Sequence, residues 1–328
     1  MIESKLIEPT YSLLKRTQVV YRANVNGNRV YYTLDADNTP NFRISLTTMI
    51  RATCPKPEQL IKWIADQGYE ESKRYMEERA SYGSLLHYLI GKLITDKKFD
   101  FDFTHQICAD IAAFEKWQYK DHWASDLNDD IAAFMQFVID YKVHPLAVEL
   151  VLVSEKDGYG TAIDLVCEMT IQEDGFDEND PYKSGARKGQ PREVKVDKKI
   201  TALMNFKSRR TGSFYEDEEV QLEFEKRLFN ENYPEIHIDK IYNWSPKEWR
   251  GITPTYALKD QSDSLNIGKA NAILEIARIE LFKKMPVQTI VSGNVKFGEM
   301  PKIEYVSVEE IIRNKHSEIE QISLANTN

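Results

Sequence analysis

Apolar residues change their spacing more than once along the chain, and each change predicts a different kind of element. Up to about residue 57, short extended pieces (Arg16 to Ala23, Val30 to Leu34) alternate with turn-forming groups at Asn26-Gly27 and Asp37-Asn38-Thr39-Pro40, the pattern of a hairpin. Helical spacing takes over after Pro55 and Pro57, through Leu60 to Ala65, Glu70 to about Ile94, and Thr104 to about Trp123. Ile131, Phe134, Met135, Val138 and Ile139 then follow i, i+3, i+4, i+7, i+8, with Asn128 placed to cap their helix, which ends before His144-Pro145.

Beyond that proline the runs shorten. Ala147 to Val153 and Thr161 to Met169 are apolar but too brief for helices, and a turn at Asp157-Gly158 joins them as a hairpin. Residues 171–199 are acidic through Asp180 and mainly basic afterwards, with glycine, proline and no apolar period, which predicts a solvated loop or mobile flap. Ile200 to Ser208 is again strand-like. Ser213 with Glu216 forms a capping-box pattern, opening a helix whose stripe is Val220, Phe224 and Leu228, and Ile236 to Trp244 reads as a further strand. The order helix, strand, strand, strand, helix, strand predicts an α/β protein with a mixed central sheet flanked by helices. A strand near Thr255 to Leu258, a helix from Ile267 to about Lys284 and a polar end fraying after about Lys315 complete the chain. No internal repeat is visible. The natural division is an N-terminal extended region (1–57), a core (58–245) and a C-terminal strand-helix extension (246–328).

Composition narrows the function classes. A chain of 328 residues, 42% hydrophobic and 29% charged, buries a sizeable core, and no apolar run is long enough to span a bilayer. Met1 to Thr10 mixes Glu, Lys and Ile without the features of an export signal, so a cytoplasmic location is expected. Cys54, Cys108 and Cys167 lie far apart with no CxxC pair, which suggests neither a zinc cluster nor a disulfide framework. The net charge of −9 opposes general affinity for a polyanion, so nucleic-acid contact requires a local basic strip. Lys195, Lys198, Lys199, Arg209 and Arg210 are candidates for such a strip, and also for an ordinary solvated face.

The candidate chemistry lies where polar residues interrupt the most apolar strands: Glu149, Asp164, and Asn205 with Lys207. A buried carboxylate without a partner shifts its pKa or costs several kcal/mol, so each calls for a counter-charge, a metal ion or a cleft. Counting from the turn at 157–158, Glu149 and Asp164 lie almost opposite each other, while Asn205 and Lys207, two apart, share a face. Oxygen ligands beside a lysine suit Mg²⁺ or Mn²⁺ and metal-assisted phosphodiester hydrolysis. His87, on a helix where Gly83 and Ser84 permit close approach, is placed to add an imidazole, which favours Mn²⁺. Glu168, four residues beyond Asp164, is a further acidic candidate on the same face. Each residue also has an ordinary reading: a hydrogen-bonded helix histidine, an ion pair of Asp164 or Glu149 with Lys207, an exposed glutamine at Gln221.

The series Gly83-Ser84-Leu85-Leu86-His87, Glu149, Gly160-Thr161-Ala162-Ile163-Asp164, Asn205-Phe206-Lys207-Ser208 and Gln221 resembles the RecB-like exonuclease branch of the PD-(D/E)XK nuclease superfamily. Ile44 to Ile50, Trp63 and Gly68 resemble the lead-in of its phage and bacterial members, so the likeness spans roughly residues 30–245. It implies a restriction-endonuclease-like (αβββαβ) core with an N-terminal helical elaboration, and a Mg²⁺- or Mn²⁺-dependent DNA exonuclease or end-processing enzyme. Such an enzyme acts on linear ends or single-stranded flaps in replication, recombination or repair, with protein partners from those processes. By the same resemblance His87 and Asp164 are metal ligands, Glu149 supports them, and Lys207 is the catalytic lysine; the amide oxygen of Asn205 is expected to join His87 and Asp164 on the metal. Gln221 is then a structural or DNA-contacting position, and Ser208, Arg209 and Arg210 beside the site are further candidates for substrate contact. Two residues depart from the family pattern: Asn205 stands where an acid is usual, and Glu225 where the glutamine motif carries tyrosine. The alternative reading is therefore a catalytically inactive nuclease-fold module that binds DNA or protein.

Overall fold

The computed structural model describes residues 4–25, 28–248, 252–262 and 265–282. Five N-terminal strands, β1 (Ser4–Ile7), β2 (Tyr11–Ser12), β3 (Val20–Val25), β4 (Asn28–Leu34) and β5 (Pro40–Ser45), precede five helices. These are α1 (Leu46–Thr53), α2 (Glu58–Gln67), α3 (Tyr69–Asp96), α4 (Thr104–Glu115) and α5 (Trp123–Asp140). The strands β6 (His144–Val153), β7 (Tyr159–Asp177) and β8 (Arg192–Phe206) follow. The helix α6 (Glu216–Asn232), the strands β9 (Lys240–Lys247) and β10 (Thr255–Asp260), and α7 (Leu265–Glu280) close the described chain. The ten strands form one open mixed sheet, in which β5 with β7 and β8 with β9 are parallel and the other pairs antiparallel. Among the described residues no helix is long and apolar enough to cross a membrane.

Helices cover both faces because the central strands are apolar on both sides, as buried parallel pairing requires. On one face Leu203 and Ile241 pack with Leu46 and Met49 of α1, Leu222 and Phe229 of α6, and Leu274 of α7. On the other, Met204, Phe206 and Trp244 pack with Leu86 of α3, Cys108 of α4, and Phe134 and Phe137 of α5. Strands from before residue 57 and after residue 246 both join the sheet, β5 pairing with β7 and β10 with β9.

Several elements differ from the sequence reading. Residues 171–199 are neither a loop nor a flap: β7 and β8 stay paired from Leu165↔Met204 out to Asp177↔Arg192, leaving only residues 178–191 as the connection. Cross-strand ion pairs hold this ribbon, with Lys195 on Asp174, Lys198 on Glu173 and Lys199 on Glu168. The predicted helix 104–123 stops at Glu115, because Lys116 turns left-handed (φ 59°) and ends it. Asn128 does not cap α5, which starts five residues earlier; its side chain accepts from Thr104 Oγ1 and donates to the Phe101 carbonyl, tying α5 to the start of α4. The acid that caps α6 is Glu218, which accepts the Tyr215 backbone N–H at 2.9 Å, while Ser213 meets Thr211. The segment 236–239 precedes β9 rather than belonging to it. The predicted turn at Asn26-Gly27, the residues past 282 in the C-terminal helix and the polar tail lie outside the described residues.

Candidate functional site

The site forms where the sheet forks. One edge of β7 is paired with β6 along its first half, while the other edge pairs with β5 at Tyr159–Gly160 and with β8 from Leu165 onward. Residues 161–164 lie between these two pairings, so Asp164 stands at the point where β8 leaves. Its Oδ2 accepts the Phe206 backbone N–H at 2.6 Å, ending the ladder with a side chain in place of a backbone carbonyl. Across from it Glu149 adopts φ 51°, a left-handed conformation unusual for a non-glycine residue inside a strand. The local pleat shifts with it: Val148 and Leu165 face the α3–α5 core, whereas their nearest paired neighbours Leu150 and Ile163 face the α1–α6–α7 core.

His87 reaches this fork from α3. Gly83, one turn earlier, leaves room for Ser208, whose Oγ would stand 3.4 Å from a Cβ at that position. That is an ordinary van der Waals distance, so α3 lies in contact range of the end of β8 at Gly83 without the glycine being required. His87 Nδ1 lies 3.1 Å from Glu149 Oε1 and 3.5 Å from Asp164 Oδ1, and Nε2 lies 3.3 Å from the Phe206 carbonyl oxygen. One ligand atom from each of His87, Glu149 and Asp164 falls within 4.8 Å of the others. Burial alone lowers the basicity of His87, but the carboxylates of Asp164 and Glu149 outweigh it and push the imidazole up to about 9. Burial, with Glu149 beside it, raises Asp164 above the ordinary carboxylate range against the pull of His87 and Lys207.

The donor set suits a small divalent cation. Two carboxylates and one imidazole nitrogen are its usual ligands, and the second ring nitrogen already faces a backbone carbonyl, as in metal-binding histidines. Lys207 follows β8, anchored by its backbone N–H on the Trp244 carbonyl at 2.8 Å, and its ammonium is close enough to act electrostatically on His87, Asp164 and Glu225.

Other residues singled out from the sequence lie differently. Asn205 turns to α6, where its Nδ2 donates to Glu225 at 3.2 and 3.4 Å. Gln221 donates to the same carboxylate at 2.7 Å. Arg209 is held by Glu218 and stacks 4.0 Å from the Tyr215 ring centre. Arg210 bonds Asp130, Asp126 and the Asp126 carbonyl, and Asp130 also accepts from Tyr82 at 2.6 Å. Ser208 packs beside Gly83. Glu168 is paired with Lys199, away from the fork.

Sequence reasoning treated Glu225 only as a departure from a motif, yet it is completely buried (0% exposed). Burial and the neighbouring Asp164 push it up to about 8, against the lowering effect of Gln221, Lys207 and Asn205. The available signal was an acidic residue inside an apolar helix stripe, between Leu222 and Phe229. No family model matches this chain, and no curated protein matches it.

Proposed function

We propose that the protein is a divalent-metal-dependent deoxyribonuclease of restriction-endonuclease-like fold, hydrolysing phosphodiester bonds at DNA ends or single-stranded flaps. The observation that carries this reading is the meeting of His87, Glu149 and Asp164 at a sheet fork, with Lys207 beside them. The order of elements supports it as well, since α5, β6, β7, β8, α6 and β9 follow the αβββαβ sequence of that fold.

His87 Nδ1, Glu149 and Asp164 would hold Mg²⁺ or Mn²⁺. When bound, the ion lowers the pKa of a water and offsets charge on the phosphate. The chain's residues supply the rest. The Phe206 carbonyl receives the His87 Nε2–H and leaves Nδ1 directed at the two carboxylates. The Phe206 N–H fixes one Asp164 oxygen and leaves the other toward His87. Lys207 places a positive charge where an attacking water and a scissile phosphate both need one.

The test is cleavage of end-labelled linear DNA with Mn²⁺. Asp164→Asn and Lys207→Ala should each lose at least about 100-fold in rate, the scale seen when a group stabilising transition-state charge is removed. Rates equal to the unaltered chain in both variants would end the reading. Asn205, occupied with Glu225, favours the second reading, a nuclease-fold module that binds DNA or protein without cutting. DNA retention with no cleavage in any divalent metal would select it.

A further inference from the structure

The segment that leaves β8 with Lys207 and runs to α6 lies outside any helix or strand, yet two consecutive arginines pin it in opposite directions. Arg209 turns to the start of α6, donating to both carboxylate oxygens of Glu218 and to the Ser213 carbonyl at 3.1 Å. Arg210 turns to the helices on the other face of the sheet. Its Nε donates to Asp130 Oδ1 at 2.8 Å, Nη1 to Asp126 Oδ1 at 3.3 Å and Nη2 to the Asp126 carbonyl. Tyr82 of α3 donates its hydroxyl to the second Asp130 oxygen at 2.6 Å, and Asp130 is only 1% exposed. Desolvation offsets most of the attraction in a buried ion pair, so net stability is a weak reason to keep one; the relative position it fixes is a stronger one. Tyr82 precedes His87 by five residues on α3, and Arg210 follows Lys207 by three. The network therefore joins the helix bearing the imidazole to the segment bearing the ammonium, without passing through His87, Glu149 or Asp164.

We propose that Arg210, seated on Asp130 and Tyr82, is a positioning residue for Lys207, holding the lysine in register with His87 for attack on the phosphate. Sequence reasoning placed Arg210 against substrate; its donors are instead committed within the chain, so its effect reaches the reaction through the lysine. The Lys207 backbone N–H on the Trp244 carbonyl fixes where β8 ends, but not the direction taken beyond it. Arg209 and Arg210 set that direction from the two sides, and the Arg210 carbonyl also accepts the Glu248 N–H at 3.4 Å. This inference rests on the nuclease reading above.

Single-turnover cleavage of end-labelled DNA with Mn²⁺, using the full chain in excess at varied concentration, tests the proposal. Arg210→Gln should lower the maximal rate about tenfold, as expected when a reacting group is misplaced. Half-saturation by DNA, and Mn²⁺ affinity by calorimetry, should stay unchanged, because the network holds neither the substrate nor the three metal ligands. In a Lys207→Ala background the same change should alter the residual rate by less than about twofold, since a residue acting through the lysine then has nothing to position. Tyr82→Phe removes one hydrogen bond and keeps the ring, so it should lower the maximal rate about threefold, again only when Lys207 is present. It carries the test if thermal melts show Arg210→Gln to be unfolded. Undiminished rates would overturn the proposal. So would equal losses with and without Lys207, the mark of a general structural role, or a loss confined to half-saturation, the mark of direct contact with DNA. If the unaltered chain cuts in no divalent metal, the nuclease reading fails and this inference with it.

Discussion

At the scale of single residues, the backbone of Glu149 is the clearest trace of a demand other than stability. A glutamate at φ 51° inside a strand costs roughly 1–2 kcal/mol relative to an extended conformation, and the cost is removed only by glycine. We therefore expect Glu149→Gly to be more stable than Glu149→Ala by about 1 kcal/mol in urea denaturation, although both lack the carboxylate. Equal stabilities would mean that the bend at 149 relaxes freely. In metal binding the two variants should be equally impaired, since the group lost is the same. His87, Glu149 and Asp164 were legible in the sequence because each interrupts or adjoins an apolar run, and burial makes such interruptions costly. Glu225 carried a weaker signal: it stands in line with Leu222 and Phe229, but its helix carries so many other acids that this one was hard to single out. Arg209 and Arg210 looked free for phosphate because their partners, Glu218 and Asp130, are distant or out of pattern in the sequence.

Among the elements, the outer part of the β7–β8 ribbon has a different standing from the inner part. Its ladder from Gln172↔Asp197 outward is held by exposed cross-strand ion pairs, each worth little, with Phe176 and Val196 largely in solvent. Replacing residues 173–196 by Asn-Gly closes the hairpin on the paired residues Gln172 and Asp197 with a favoured two-residue turn. This shortened chain should fold, with stability within about 1 kcal/mol of the full one by chemical denaturation, because the inner ladder and both cores are untouched. A much larger loss would place hidden packing on the arm. The same physics explains why the ribbon was invisible in the sequence: Glu, Asp, Lys and Gly disfavour strands, and a ladder wet on both faces imposes no apolar alternation. The inner strands were legible for the opposite reason, since burial on both faces left continuous apolar runs. The early end of α4 escaped notice because its left-handed residue is Lys116, where glycine would have marked the stop.

For the whole molecule, the site lies where the two cores meet. His87 comes from the helices on one face and Glu225 from those on the other, with Asp164 on the strand between them. The three buried groups at this point all shift upward: burial raises Glu225 to about 8 from 4.5 and Asp164 above its usual range, whereas His87 reaches about 9 from 6.5 because the carboxylates of Asp164 and Glu149 outweigh the lowering effect of burial. A group whose folded pKa is raised takes up protons more readily in the folded state, so its stabilising contribution is complete below the unfolded pKa and lost as pH rises through the folded one. For Glu225 that interval runs from 4.5 to about 8, and for His87 from 6.5 to about 9. The charges facing His87 are Glu149 on β6, Asp164 on β7 and Lys207 after β8, and none of them reverses the sign. The metal-free protein should therefore lose thermal stability steadily between about pH 6 and 9. A divalent cation held by His87, Glu149 and Asp164 competes with the protons there, so its binding strengthens as they leave. The rise in melting temperature on adding Mn²⁺ should accordingly grow from pH 6 to pH 9, and Glu225→Gln should flatten the part of the metal-free decline that lies below pH 8. A metal-free melting temperature that climbs over this interval, or an increment from Mn²⁺ that shrinks with rising pH, would mean that protons and cation do not share one site.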